Sequence, residues 1–201
     1  QPLILDGAGR ATPSTLSFAG DHLVSGTGDF ALLWDLRQAG RIVTEVATRI
    51  AEPCRACGPP IVRVSPDGTR LLTTDLSGND TYVTEVATGA TVDLEKADAY
   101  SGAGWLGDDR LVAYSRTAGA LRVLSGPEFA TVEAAAPIEL GAGAYAVLAI
   151  HSDGATATVL DESGLVQVID LVSGEVTSSS EALRQVWEQS APFAFGIAPD
   201  G

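Results

Sequence analysis

The stretch VSPDGTRLL, residues 64–72, joins an apolar strand end to a second strand through a four-residue polar turn. Pro66 fixes φ at the second position of that turn, and Asp67 can accept a hydrogen bond from the backbone that follows it. Gly68 tolerates the left-handed conformation that brings the chain back. The stretch therefore predicts a tight β-hairpin.

The same pattern recurs along the chain. The further copies are FAGDHLVSG from Phe18, WLGDDRLVA from Trp105, IHSDGATAT from Ile150 and IAPDG from Ile197. A period of about 40 to 48 residues that holds several strands is typical of a propeller built from repeated blades. The predicted fold class is therefore all-β, a β-propeller of four-stranded antiparallel blades.

The turn signals divide the chain into four complete blades, with partial blades at both ends. The complete blades are predicted at residues 14–46, 60–95, 102–134 and 146–179, and single strands of the partial blades at residues 1–5 and 193–201. An open end would expose unpaired strand edges, which proteins ordinarily avoid. We therefore expect residues 1–201 to form a single β-propeller segment of a larger ring.

Charge limits the classes of partner. The chain has 12 basic and 26 acidic residues, for a formal net charge of −14. Such a field repels phosphate backbones and anionic lipid surfaces, so the sequence predicts no nucleic-acid and no membrane partner. There is no apolar run of about 18 residues and no signal-peptide pattern. The chain begins at Gln1 and contains no Met, which indicates a segment of a longer protein that we expect to be cytoplasmic.

The stretch HLVSGTGDFALLWD, residues 22–35, resembles the WD-repeat family. Repeats of that family carry a Ser on the second strand of the blade, an Asp in the following turn, and Trp-Asp on the third strand. The resemblance implies that Ser25, Asp29, Trp34 and Asp35 take those places. Their implied role is a hydrogen-bonded structural support within the blade.

The other copies carry less of this motif. Glu85 and Asp170 occupy the place of Asp35, the third blade has no acid there, and only the first copy has the Trp. SPDGTRLL and TEVATGATV in the second copy look like bacterial repeats. With the Arg-rich, Lys-poor composition, they resemble WD-repeat arrays of actinobacterial proteins. The resemblance thus implies degenerate repeats in a ring of roughly seven blades.

The histidines and the glycine-rich stretches are the residues that most resemble enzyme signatures. His22 and His151 fall in the first hairpins of different blades, where we expect exposed turn histidines rather than a catalytic pair. GAGWLG, residues 102–107, matches a dinucleotide-binding pattern, but a strand follows it instead of the required helix. The sequence therefore predicts no catalytic residue and no cofactor-binding residue.

Both cysteines, Cys54 and Cys57, form a C-x-x-C pattern within PCRACGPP. A structural zinc site needs four ligands, and a redox dithiol usually begins a helix, which the Gly-Pro-Pro that follows prevents. We expect a loop disulfide or two idle thiols, with a redox pair as the alternative. The acidic clusters at residues 75–80, 107–109 and 161–163 indicate Asx-type turns rather than calcium ligands, so no metal site is predicted.

The segment SSSEALRQVWEQSAP, residues 178–192, departs from the repeat. Ser178 and Glu181 have the spacing of a capping box, and apolar residues follow at four-residue intervals. This pattern predicts a short helix. Trp187 within it is expected to pack onto a blade, with a partner surface as the alternative.

Two functions fit the sequence. The first is a non-catalytic protein-interaction or sensor propeller, which binds a protein partner or other domains of the same chain. The resemblance implies that it belongs to a larger bacterial signalling or regulatory protein, whose other parts carry an ATPase, kinase or other catalytic domain. The second is an enzymatic or ligand-binding propeller, lactonase-like or peptidase-associated, with a site in the central channel.

Overall fold

The computed structural model describes residues 15–26, 30–38, 41–47, 61–74, 81–94, 100–126, 128–132, 138–140, 145–151, 154–161 and 163–181. The chain divides into two compact units, Gln1–Asp93 and Leu94–Gly201. The part of the chain that is described contains strands, turns and one short 3₁₀ helix, and every strand pairing is antiparallel. The predicted all-β fold of four-stranded antiparallel sheets is therefore confirmed.

The first unit contains two sheets whose strands follow one another in chain order. The first sheet is β1 (Thr15–Ala19), β2 (His22–Gly26), β3 (Phe30–Asp35) and β4 (Arg41–Ala47), with a 3₁₀ helix at Leu36–Gln38. The second sheet is β5 (Ile61–Val64), β6 (Arg70–Thr74), β7 (Thr81–Glu85) and β8 (Thr91–Asp93). Each neighbouring pair is joined along the chain, which keeps strand pairing local.

The second unit also contains two sheets. The third sheet of the chain is β9 (Tyr100–Trp105), β10 (Leu111–Ser115), β11 (Ala120–Ser125) and β12 (Thr131–Val132), and β13 (Ile138–Glu139) also pairs with β11. The fourth sheet is β14 (Tyr145–Ile150), β15 (Thr156–Asp161), β16 (Val166–Asp170) and β17 (Val176–Ser180). The predicted strands at residues 1–5 and 193–201 lie outside the described residues.

The turn between β5 and β6 has the chemistry that its sequence predicts. The N–H of Gly68 donates to the carbonyl oxygen of Ser65 at 2.9 Å, and Gly68 has a φ of +76°. One carboxylate oxygen of Asp67 accepts the hydroxyl of Ser65 at 2.6 Å and the N–H of Thr69 at 3.0 Å. These bonds fix the start of β6, and with it the register of the hairpin.

Each unit has an apolar core made by both of its sheets. The core of the first unit comprises Val24, Ala31 and Leu33 of the first sheet and Val62, Val64 and Leu71 of the second. The core of the second unit comprises Val112, Tyr114, Leu121 and Ile138 of the third sheet and Ala157, Val159, Ile169 and Leu171 of the fourth. Alternation along each strand places these side chains on one face, so burial couples neighbouring sheets.

The last part of the third predicted blade, residues 102–134, is not one continuous strand. Among the residues described there, Thr131–Val132 pairs with β11, and Ile138–Glu139 pairs further along the same strand. Phe129 has a φ of +53° and is buried, with its ring edge-to-face against Trp105 at a centroid distance of 6.0 Å. Burial of this aromatic side chain takes residue 129 out of the strand.

The expected capping box at Ser178 is wrong. Ser178 lies inside β17 and pairs with Val168, and the strand continues to Ser180. The backbone of Ser178 is therefore extended, whereas an N-cap residue begins a helix. The serines that the spacing assigns to a helix cap instead pair with β16. The predicted helix downstream lies outside the described residues.

Candidate functional site: blade supports and an exposed edge strand

Trp34 and Ser25 are brought together inside the first sheet. The indole Nε1 of Trp34 donates to the hydroxyl oxygen of Ser25 at 3.1 Å, and both side chains are buried. They lie diagonally across β2 and β3, because Ser25 pairs with Leu32 while Trp34 pairs with Leu23. Leu23 and Leu32 pack with Trp34 in one cluster, so the hydrogen bond is shielded from water.

The strand registers identify the positions that correspond to Ser25 and Trp34 in the other sheets. In the second, third and fourth sheets, respectively, these positions are Thr73 and Thr84, Ala113 and Leu124, and Val159 and Ile169. The last two pairs are apolar and need no hydrogen bond. Thr73 retains a hydroxyl, but Thr84 stands where the indole donor would be. The Oγ1 of Thr73 is buried with no hydrogen-bond partner. An orphaned buried hydroxyl costs about 1–3 kcal/mol.

The acids that the sequence places at the end of the third strand all bond to the turn that follows. A carboxylate oxygen of Asp35 accepts the N–H of Arg37 at 2.9 Å, and one of Asp170 accepts the N–H of Val172 at 2.8 Å. The carboxylate of Glu85 accepts the hydroxyl of the Thr three residues later at 2.6 Å. These acids therefore stabilise turns.

A second backbone feature repeats in three of the sheets. The N–H of the residue after each of these acids donates to a carbonyl in the first hairpin of the same sheet. The pairs are Leu36 to Asp21 at 2.8 Å, Val86 to Thr69 at 2.9 Å and Leu171 to Ala155 at 2.7 Å. The three sheets therefore share one backbone hydrogen-bonding pattern.

Asp35 also meets Arg37 side chain to side chain. The guanidinium Nε lies 3.2 Å from a carboxylate oxygen of Asp35 and 3.7 Å from one of Asp21. The hydrogen bond and charge of Asp35 raise the pKa of Arg37. Arg37 is exposed, so this ion pair positions the turn more than it stabilises the fold.

The acidic cluster at residues 161–163 forms an Asx-type turn, as its sequence predicts. One carboxylate oxygen of Asp161 accepts the N–H of Ser163 at 2.8 Å and the N–H of Leu165 at 2.9 Å. The hydroxyl of Ser163 donates to the same oxygen at 2.7 Å. Its lone pairs are thus committed to the turn between β15 and β16.

The two histidines are half-buried, which corrects the expectation of exposed turn residues. The ring of His22 lies over Gly68, where an added Cβ would come within 2.8 Å of it. The Nε2 of His151 lies 2.8 Å from the hydroxyl oxygen of Thr158, a buried side chain. Both histidines therefore contribute to hairpin packing.

Four predicted site residues, Asp29, Cys54, Cys57 and Trp187, lie outside the described residues. Within the described ranges, no group of three or more His, Cys, Asp or Glu is placed to hold a metal ion. The same ranges contain no helix long and apolar enough to cross a membrane.

The sequence did not single out the outer strand of the fourth sheet, which the structure leaves open. All five residues of β17 are exposed, and β17 pairs with β16 alone among the described strands. Val172, in the turn before it, is 86% exposed, and Val176, the first residue of β17, is 48% exposed. We call β17 together with Val172 the β17 edge. Its sequence signal is the run VTSSS, residues 176–180, which contains no charged residue.

Comparisons with known proteins give the fold but no family. No protein-family model matches the chain, and no curated protein matches it in sequence. The β-propeller domain of Cps50 (Swd1) from Myceliophteria thermophila matches in structure with 16% identity and a TM-score of 0.56, over 79% of this chain and 51% of that one.

A chain of the mitotic checkpoint complex matches with 16% identity and a TM-score of 0.54, over 90% of this chain and 54% of that one. The chain thus spans about half the length of the solved structures it matches. The first of these structures is a β-propeller domain, the fold that the sequence predicts. The four described sheets are accordingly blades of a β-propeller.

Proposed function

We propose that the chain is a non-catalytic protein-interaction propeller that uses the β17 edge to bind an extended segment of a partner protein. The observation that carries the proposal is the exposure of the whole of β17 next to Val172, which is 86% exposed. Backbone groups on the outer side of an edge strand can pair with a strand from another chain.

The composition of the β17 edge supports this role. Natural edge strands usually carry Lys, Pro or inward-pointing charges that prevent pairing with other chains. VTSSS itself carries none of these, although an exposed glutamate borders it at each end, Glu175 and Glu181. An irregularity between Val168 and Ile169 interrupts the register near Val176, while Ser178–Ser180 keep regular pairing. A partner strand thus has three regular residues and an apolar anchor beside them.

The hydrogen bonds of the turn aspartates favour a scaffold over a reactive site. The carboxylates of Asp35, Asp161 and Asp170 accept hydrogen bonds from N–H groups of their own turns. Groups held in this way stabilise one turn geometry and leave less freedom to act on a substrate. A rigid set of blades that presents its rim to a partner is a common use of repeat folds.

The wider setting is also a proposal. We infer that the chain is the sensor or regulatory WD-repeat portion of a larger cytoplasmic bacterial signalling protein, which supplies any ATPase, kinase or other catalytic domain. The SPDG turns and the Arg-rich composition support this setting. One matched structure belongs to a multiprotein assembly, the mitotic checkpoint complex, which is consistent with protein partners. The net charge of −14 argues against nucleic acid and anionic lipid as partners.

The experiment compares partner capture by three forms of the chain. Proteins retained from an extract of the source cells by the immobilised wild type are identified, purified and titrated against each form. The double variant Val172→Glu/Val176→Glu should weaken binding about tenfold or more, because it places charge on the anchor. The control Phe18→Glu makes the same kind of change in the first sheet and should bind as the wild type does. Equal affinity for all three forms would contradict the proposal.

A further inference from the structure

The basic residues are unevenly distributed along the chain. None of the 12 lies between residues 123 and 183, the stretch that contains the fourth sheet. The stretches of the other three sheets, residues 15–47, 61–93 and 100–139, contain two, two and three Arg. Residues 145–181 have no Lys or Arg and six acids, for a formal charge of −6 with histidine neutral; the acids are Asp153, Asp161, Glu162, Asp170, Glu175 and Glu181. The fourth sheet thus has no basic residue in its own stretch to offset its acids.

Two of these acids border β17. Glu175 and Glu181 are both exposed, one directly before the strand and one directly after it. The N–H of Glu175 donates to the hydroxyl oxygen of Ser173 at 3.2 Å, while its carboxylate is not held by a hydrogen bond or an ion pair from any other described residue. In an extended chain, six residues span about 20 Å. The β17 edge therefore has an uncharged strand between two exposed carboxylates.

We propose that the segment bound by the β17 edge is cationic, an extended stretch of a partner protein with two Lys or Arg residues about six positions apart. The inference rests on the proposed function, because it specifies the partner of the same edge. A strand that pairs with Val176–Ser180 places its flanking residues beside Glu175 and Glu181. Opposite charges at those places attract, and like charges repel.

The middle of the partner segment should be uncharged. Ser178 and Ser179 are exposed, so their hydroxyls can hydrogen-bond to a partner, and Val176 offers it apolar surface. A charge in the middle of the segment would lie over these residues and lose hydration with no carboxylate beside it. The β17 edge therefore selects cations at the two ends of the segment and apolar or hydroxyl side chains between them.

The rest of the fourth sheet acts on a cationic segment from a distance. The carboxylates of Asp161 and Asp170 are held in their turns by backbone N–H groups, and they carry the same sign of charge as Glu175 and Glu181. Such a field draws in a segment of opposite charge, and salt screens it beyond about 8 Å at physiological ionic strength. Binding should therefore weaken as salt is added.

The probes are three labelled peptides, acetylated and amidated, that differ only at their ends. Each has Thr-Val-Thr-Val-Thr in the middle, and its two end residues are both Arg, both Gln or both Glu. Fluorescence anisotropy gives the dissociation constant of each peptide with the 201-residue chain. The Arg-ended peptide should bind about fivefold more tightly than the Gln-ended one, and the Glu-ended peptide should bind most weakly. At about 0.5 M salt the three constants should converge.

Charge reversal in the protein sharpens the test. Glu175→Lys/Glu181→Lys should reverse the preference, so that the Glu-ended peptide binds most tightly. The control Asp109→Lys/Glu128→Lys changes the net charge equally at two exposed acids in turns of the third sheet, and it should keep the preference for Arg. Val172→Ser/Val176→Ser removes the apolar anchor without a change of charge, and it should weaken all three peptides alike.

Circular dichroism checks that each variant is folded. A preference for Arg that Glu175→Lys/Glu181→Lys leaves unchanged, or that the control reverses equally, overturns the inference. Equal affinity for the three peptides also overturns it, and if Val172→Ser/Val176→Ser weakens that binding, the proposed function stands without the charge preference. Failure of all three peptides to bind overturns the inference as well, and capture of the natural partner then decides the proposed function alone.

Discussion

The indole of Trp34 donates to the hydroxyl of Ser25 at 3.1 Å inside the first blade, and both side chains are buried. The hydroxyl of Thr73, at the place of Ser25 in the second blade, is buried without a partner because Thr84 stands where the indole would be. One position in a repeat thus has a satisfied polar group in one copy and an orphaned group in another. Substitutions that remove a partnered or an orphaned polar group should therefore change stability in opposite directions.

Removal of the indole should destabilise the first blade strongly. Trp34→Ala should lower the free energy of unfolding by about 3–5 kcal/mol, because it leaves a cavity and an orphaned Ser25 hydroxyl. Trp34→Phe keeps most of the packing, and it should cost about 1–3 kcal/mol less than Trp34→Ala. Urea denaturation measures both. In the Ser25→Ala background the cost of Trp34→Phe should shrink, and an unchanged cost would argue against the hydrogen bond.

The same substitution should have opposite effects at two buried threonines. Thr73→Val removes an orphaned hydroxyl and should raise the free energy of unfolding by about 1 kcal/mol. Thr158→Val removes a hydroxyl that lies 2.8 Å from Nε2 of His151, and it should lower the same quantity by about 1 kcal/mol. Thermal or urea unfolding of the two variants gives the signs directly. Loss of stability in both would contradict the orphaned state of Thr73.

Gly68 should tolerate a methyl group less well than Gly89. Both have a positive φ, +76° and +70°, so Ala should cost about 1 kcal/mol at either position. A Cβ at Gly68 would also lie 2.8 Å from the ring of His22, whereas Gly89 has open space. Gly68→Ala should therefore cost more than Gly89→Ala, and His22→Ala should remove the excess. A Gly68→Ala cost that is the same with and without the His22 ring would show that the ring gives way freely.

Asp67 should make stability depend on pH in the acid range. Burial acts to raise the pKa of its carboxyl, but hydrogen bonds from Ser65 and Thr69 and the charge of Arg70 together lower it. A carboxyl with a lowered pKa contributes stability above its unfolded value of about 3.9, and that contribution is lost as pH falls through the folded pKa.

The comparison for this pH effect is between the wild type and Asp67→Asn. Their difference in free energy of unfolding should be constant above about pH 5 and should shrink below about pH 4. Glu128→Gln, an exposed charge change in another turn, is the control. A wild-type advantage that persists unchanged in strong acid would show that the carboxylate charge contributes nothing.

The sequence predicts the turns and the core better than the blade edges. Gly68, Asp67 and Asp161 were predicted correctly because their roles depend on a few neighbouring residues. Burial of Phe129 on Trp105 could not be predicted from a period, because it depends on a contact between distant residues. Ser178 was assigned to a helix cap because Ser and Thr suit both caps and exposed strands. Only pairing with β16 decides between those states.

Exposure is the other property that the sequence does not give. Leu16 and Val62 have the same place in the repeat and similar side chains, yet one is 60% exposed and the other 1%. Val62 packs against Val24 and Leu33 of the first sheet, whereas Leu16 has no such cover among the described residues. The β17 edge could therefore be recognised only once the sheets and their neighbours had been placed.

Hydrogen–deuterium exchange of the chain, alone and with a purified partner, tests the proposed function most directly. Backbone amides that gain a partner strand exchange more slowly, and peptides across the chain report each blade separately. We predict that partner binding slows exchange in the peptide from Val172 to Glu181, with little change in the hairpin at Ser65–Gly68. Protection elsewhere, with exchange in β17 unchanged, would contradict it.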